Sequence, residues 1–244
     1  MKAIFKRELE SYFKSPLGYL FLGLFLAFSS LVFMTTNVLN GTAIMTGYFR
    51  TVCYIFVAAI PILTMKMFSE ERKLKTDQLL LTAPVKVTEI VLGKFFSGVA
   101  VLGIGVATTL LYLVFVNIYG NPVVAQSLVG YIGIMLYGGM LIAMGMFISA
   151  LTQSQVIAAV STLALIGILS FVGMLSVDFS SLFNGAFSFV GSFLNGAQDF
   201  LDINARFSDF AAGTLNIVPL FYFISITVLF ILLTVRVIER RRWR

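Results

Sequence analysis

FSEERKLKTDQLLLTAP, residues 68–84, puts Glu70, Glu71, Arg72, Lys73, Lys75 and Asp77 into eight consecutive positions of a chain that is only 11% charged. On both sides of this block the composition changes abruptly. The sequence as a whole is 59% hydrophobic with a mean hydropathy of +0.98, well above soluble domains, so lipid is the solvent for most of it. Apolar runs of about 20 residues, enough to cross a ~30 Å hydrocarbon core as helix, fall near 17–36, 46–66, 94–118, 125–149, 156–175 and 214–235. The charged block therefore lies between the second and third of six spans. The runs are continuous rather than alternating, and backbone groups in lipid must be satisfied within their own segment, so helices are required and a barrel is excluded. The expected fold is a single all-α integral membrane domain over residues 1–244, with six transmembrane helices.

Basic residues orient such a chain, because positive charge in short loops is retained in the cytoplasm. Four fall in 1–16, six in 66–94 and five in 236–244, leaving only Arg50 and Arg206 elsewhere. Both termini and the charged block are expected on the cytoplasmic side of the inner membrane. The acids split as well, with Asp178, Asp199, Asp202 and Asp209 on the outer side. The formal net charge of +6 then reflects topology and contact with anionic lipid, and no nucleic-acid partner is expected. Residues 17–36 read as a retained span, since Glu8 and Glu10 precede the run and no A-x-A site follows.

Several chemistries are disfavoured. There is no histidine, which removes bis-histidine haem anchoring, histidine-ligated zinc and imidazole-activated nucleophiles. Cys53 is the single cysteine, so no disulfide forms within the chain. Gly93-Lys94 fails as a phosphate loop, because Thr88 stands where its first glycine belongs and Phe95 where its Ser or Thr belongs. No catalytic, cofactor-binding or metal residues are expected. Apart from Arg50 and Lys66 near the ends of the second span, the span cores are uncharged, which disfavours a secondary transporter.

Within the block, Glu71 and Lys75, and Lys73 and Asp77, stand four apart, while Glu70 and Lys73 stand three apart, spacings that support a helix. Pro84 ends it. A short amphipathic helix follows, either lying solvated on the headgroups or docking a cytoplasmic protein. The series Glu70-Glu71-Arg72, Lys75-Thr76, Leu79-Leu80, Pro84-Val85 and Glu89-Ile90-Val91-Leu92-Gly93-Lys94 resembles the signature after the second span of type-2 ABC transporter permeases. Lys75 stands where that family most often has the glycine of Gly-Thr. The opening MKAIFKRELESYFKSPLGYLF resembles the amphipathic entry helix of these permeases, particularly the gliding-motility-associated branch. Its Phe5, Leu9, Tyr12 and Phe13 form a membrane-facing stripe opposite Lys6, Glu10 and Lys14.

The resemblance implies the membrane subunit of an ABC exporter, not itself an enzyme, with residues 1–16 as entry helix and 68–84 as the coupling helix. By it, Glu70, Glu71 and Arg72 would contact a separate ABC ATPase that binds ATP and magnesium. Thr76, Leu79 and Leu80 would hold the helix against the membrane domain, and Lys75 and Pro84 would complete the set of ATPase-coupling residues. Further partners implied are a second copy or a paralogous permease, membrane lipid and an auxiliary periplasmic protein. Two rivals remain: a membrane anchor for a motility or secretion machine, and a secondary transporter.

Residues 176–213 are too polar to cross yet carry eight phenylalanines. Phe179, Phe183, Phe187, Val190 and Leu194 keep a helical period, as do Phe200, Ile203, Phe207 and Phe210 after the turn-prone Asn195-Gly196. Two short helices are expected, lying at the outer interface or folded as a re-entrant hairpin. In related permeases such a hairpin caps the pathway, which makes Phe179, Phe183 and Phe187 gate candidates.

Overall fold

A computed structural model describes residues 1–76, 85–120, 122–171, 195, 196, 198 and 200–242. Among these there are helices and no strand. The chain enters through α1 (Lys2–Lys14), and Pro16 then opens α2 (Pro16–Phe33) at a position where its missing N–H is no loss. A π-helical turn, Met34–Val38, leads out of α2. The helices α3 (Thr46–Thr64), α4 (Ser69–Lys73), α5 (Val87–Tyr119), α6 (Val124–Leu151) and α7 (Gln155–Phe171) follow. The last two are α8 (Ile203–Ala211) and α9 (Ile217–Arg242).

Among the described residues, five segments are long and apolar enough to cross a membrane: Pro16–Val38, Thr46–Lys73, Val87–Tyr119, Val124–Leu151 and Ile217–Arg241. The fifth expected span, 156–175, corresponds to α7, whose 17 residues fall just short, and residues 172–194 lie outside the described set. The third differs most from expectation. Its helix starts at Val87 rather than near Lys94, and its 33 residues reach about 50 Å at 1.5 Å per residue. The extension is permitted because Lys94, buried within it, is neutralised by two carboxylates.

Helix α6 is the central post. In its apolar window 72% of residues are buried, against 22% in that of α9, and α3, α5, α7, α8 and α9 all pack on it. Short α8 reaches into the far half of this bundle. A Cβ on Gly133 of α6 would stand 2.5 Å from that of Phe210, so only glycine lets α8 approach so closely. Phe207 and Phe210 are fully buried, with Phe207 5.4 Å from the Tyr137 ring and Phe210 6.0 Å from Phe223.

Candidate functional site

The basic segments meet at one end of the bundle, where α1, α4 and the start of α5 converge. Lys94 is 1% exposed. Its Nζ lies 3.0 Å from a Glu8 carboxylate oxygen and 2.9 Å from one of Glu71. Arg7 closes the ring, 2.6 Å from Glu8 and 3.4 Å from Glu71. Two cations and two carboxylates therefore alternate, cancel in charge, and join three helices distant in sequence. The Phe68 ring covers the ammonium group, 5.2 Å away. Burial alone pushes the Glu8 carboxyl up, but Lys94 and Arg7 more than reverse this and hold it below its ordinary value.

Around the ring the turn is fastened to its neighbours. Tyr12 is buried and donates its hydroxyl to the Leu63 carbonyl at 3.1 Å. Lys66 donates to the Ser15 hydroxyl at 2.9 Å. The stripe expected to face lipid on α1 thus turns inward at Tyr12, and Ile4 packs on Gly93, where a Cβ would come within 2.9 Å.

A second set of bonds ties the same turn to α6. Helix ends leave carbonyls without partners and carry partial negative charge. Arg72 donates to the Leu151 carbonyl at 2.7 Å, and Arg241 of α9 donates to that of Ala150. Ser149 accepts from the backbone N–H groups of Phe68 and Ser69, at 3.1 and 3.2 Å, and donates to the Met65 carbonyl.

The block's helix is shorter than its charges suggest. It covers Ser69–Lys73 and closes at Lys75, which has φ of 57°. Thr76 N–H bonds the Glu71 carbonyl at 3.0 Å, and Lys75 N–H bonds that of Arg72 at 3.3 Å. This pair is a Schellman closure, whose left-handed position favours glycine. Glu71 consequently pairs with Lys94 and Arg7 instead of Lys75, and Glu70 stands 3.9 Å from Lys66. Lys73, Leu74, Lys75 and Thr76 remain exposed. Leu79, Leu80 and Pro84 lie outside the described residues, as do Phe179, Phe183 and Phe187.

A family model described as ABC-2 family transporter protein matches residues 26–243. The chain belongs to the ABC-2 transporter family. No curated protein matches it. As an ABC-2 protein it is a multi-pass membrane component of an ABC transporter, from a family usually non-catalytic and generally working with an ABC ATPase. Among the described residues no group of His, Cys, Asp or Glu is arranged to hold a metal.

Sequence reasoning singled out Glu71 and Arg72 but missed Arg7, Glu8, Ser149 and Arg241, and used Lys94 only as a motif letter. One signal was available. A lysine inside an apolar helix needs a carboxylate nearby, and few acids share its side of the membrane. Two acids away from the basic end have local duties as well. Asp202 caps α8 by accepting from Asn204 and Ala205 N–H, and Asp209 accepts from Asn216.

Proposed function

We propose that this ABC-2 chain is the membrane-spanning subunit of an ATP-driven exporter, docked to a separate ATPase through the turn after α3. The carrying observation is the division of labour in that turn. Glu71 and Arg72 face inward, bracing it against α1, α5 and α6, while Lys73 to Thr76 face outward with Leu74 64% exposed. A partner pressing on the exposed face would move α6 through Arg72, and α1 with α5 through Glu71. Glu70, 41% exposed at its side chain, and residues 77–84 would complete the contact.

On this reading the chain has six spans, with the basic end and both termini in the cytoplasm of a cell whose inner membrane holds it. It works as a dimer with a second copy or a paralogue, and ATP and magnesium are bound by the partner. The buried phenylalanines of α8 support a re-entrant cap over the far end of the pathway. The opening residues favour the gliding-motility-associated branch.

Coexpression with candidate ABC ATPases from the same genome tests docking. Leu74→Asp places a charge on the outward face and touches none of the internal ion pairs, so copurification is expected to fall while membrane insertion stays normal. Copurification and ATPase coupling equal to wild type would remove the docking assignment.

A further inference from the structure

Between α5, α6 and α9, in the middle of the apolar segments, the bundle leaves a laterally open groove of about 820 Å³. Val106 and Tyr131 form its buried floor, and Leu110, Ile132 and Val228 stand exposed along its rim. No titratable carboxylate, lysine or arginine lines it. Its two hydroxyls are turned to the backbone: Tyr131 donates to the Thr109 carbonyl at 2.7 Å and Thr227 to that of Phe223 at 2.7 Å. The groove therefore offers dispersion contacts and nothing for a headgroup or a polar solute.

Two glycines keep it open. A Cβ on Gly139, a buried position, would meet nothing nearer than Phe95 Cζ at 4.0 Å, and one on Gly103 nothing nearer than Met135 Cε at 3.5 Å. Neither glycine is demanded by close helix approach, in contrast with Gly133. Each nevertheless has a lower helix propensity than alanine. What they preserve is the empty volume beside them.

The shape of that volume selects the occupant. From Phe95 to Leu110 along α5 is about 22 Å at 1.5 Å per residue. Spread over that length, 820 Å³ leaves a mean cross-section of about 40 Å², roughly half that of a helix 10–12 Å across. A single aliphatic chain can fill it lengthwise, whereas a helix from a second copy would reach into it only with its side chains. We propose that this groove is a binding site for one acyl tail of a bilayer phospholipid, which enters sideways and is held between α5, α6 and α9.

The test uses the full chain reconstituted in phosphatidylethanolamine liposomes containing a phosphatidylethanolamine with a mid-chain diazirine, followed by irradiation and peptide mapping. Label is expected to concentrate on residues 99–110, 128–139 and 224–228. Gly103→Leu and Gly139→Leu fill the groove and should cut that label by about fivefold or more, as expected when a ligand pocket is occupied by side chain. Gly23→Leu, whose Cβ also meets nothing within 4 Å but on α2, should leave it unchanged. Label spread evenly over exposed positions such as Leu111 and Leu163 would overturn the proposal on the wild-type map alone. So would undiminished labelling of both groove-filling variants, or a wild-type map in which the groove peptides take no label, as a second copy seated there would produce.

Discussion

The two ends of this bundle are held by opposite kinds of force. At the basic end, ion pairs and caps from Arg7, Glu8, Glu71, Lys94, Arg72 and Ser149 join α1, α4, α5 and α6. In the far half, α8 is held mainly by aromatic packing of Phe207 and Phe210. Its polar anchor is Asn204, which accepts from Tyr137 at 3.2 Å and donates to the Ser170 carbonyl at 2.7 Å. Directional bonds tolerate few arrangements, so motion at the basic end passes on as rigid displacement. Ring contacts tolerate sliding, and in lipid they lack the hydrophobic drive they have in water. One end is suited to transmit position and the other to change it.

The largest effect should come from Lys94→Met, which strips the shared cation from Glu8 and Glu71. Removing one partner of a buried ion pair typically costs about 3–5 kcal/mol, because the charge left behind is uncompensated. A thermal shift assay on purified protein should show a large drop, with Glu8→Gln or Glu71→Gln in the same background recovering part of it. No drop would mean that the ring contributes nothing to the contrast between the ends. The same ring carries a pH dependence. The Glu8 carboxyl is held below its ordinary value, so its contribution is complete above the unfolded carboxyl value, roughly pH 4.3, and is lost as pH falls through the folded value. The stability difference between wild type and Glu8→Gln should thus shrink on acidification below that point.

Phe207→Ala comes next. Truncating a buried phenylalanine costs about 3–5 kcal/mol in water-soluble cores, and the lower end applies where lipid weakens the transfer term. Stability should fall by less than in Lys94→Met, and on the proposed function the basal activity of a partner ATPase or substrate leak should change as well. Asn204→Ala should cost still less, near the ~0.6 kcal/mol average of interhelical hydrogen bonds in membranes. If Asn204→Ala proved the more damaging, the far half would be held by polar bonds after all.

Most of the fold was legible because spans announce themselves by composition over about 20 residues, and five of the six expected runs correspond to helices long enough to cross. The start of α5 was misread for a physical reason. Hydropathy treats Lys94 as a boundary, whereas its two carboxylates come from residues 8 and 71, and no window of neighbours contains them. The same holds for Arg72 and Arg241, whose acceptors are backbone carbonyls of α6 that carry no mark in the side-chain sequence. Local spacing also misdirected Glu71: four residues from Lys75 it reads as half of a helical pair, but the helix has closed before that pair can form. The stripe was readable from its period at Ile203, Phe207 and Phe210, which are buried, whereas Phe200, ahead of α8, is 53% exposed.

An effect about as small as that of Asn204→Ala sharpens the comparison at the turn itself. Lys75 holds a left-handed backbone, which a residue with a Cβ occupies at a cost of about 1–2 kcal/mol and glycine occupies freely. Glycine gains more freedom in the unfolded chain, which offsets part of that difference. Lys75→Gly should therefore stabilise the protein by about 0.5–1 kcal/mol, a small rise in melting temperature. Lys75→Val should lower it, because β-branching makes positive φ worse. The Schellman bonds from Thr76 and Lys75 are backbone bonds and survive either replacement as long as the turn is made. Were Lys75→Gly destabilising instead, the side chain rather than the backbone would be what Lys75 contributes. Retained ATPase copurification in the glycine variant would then separate a role in folding the turn from a role in the contact.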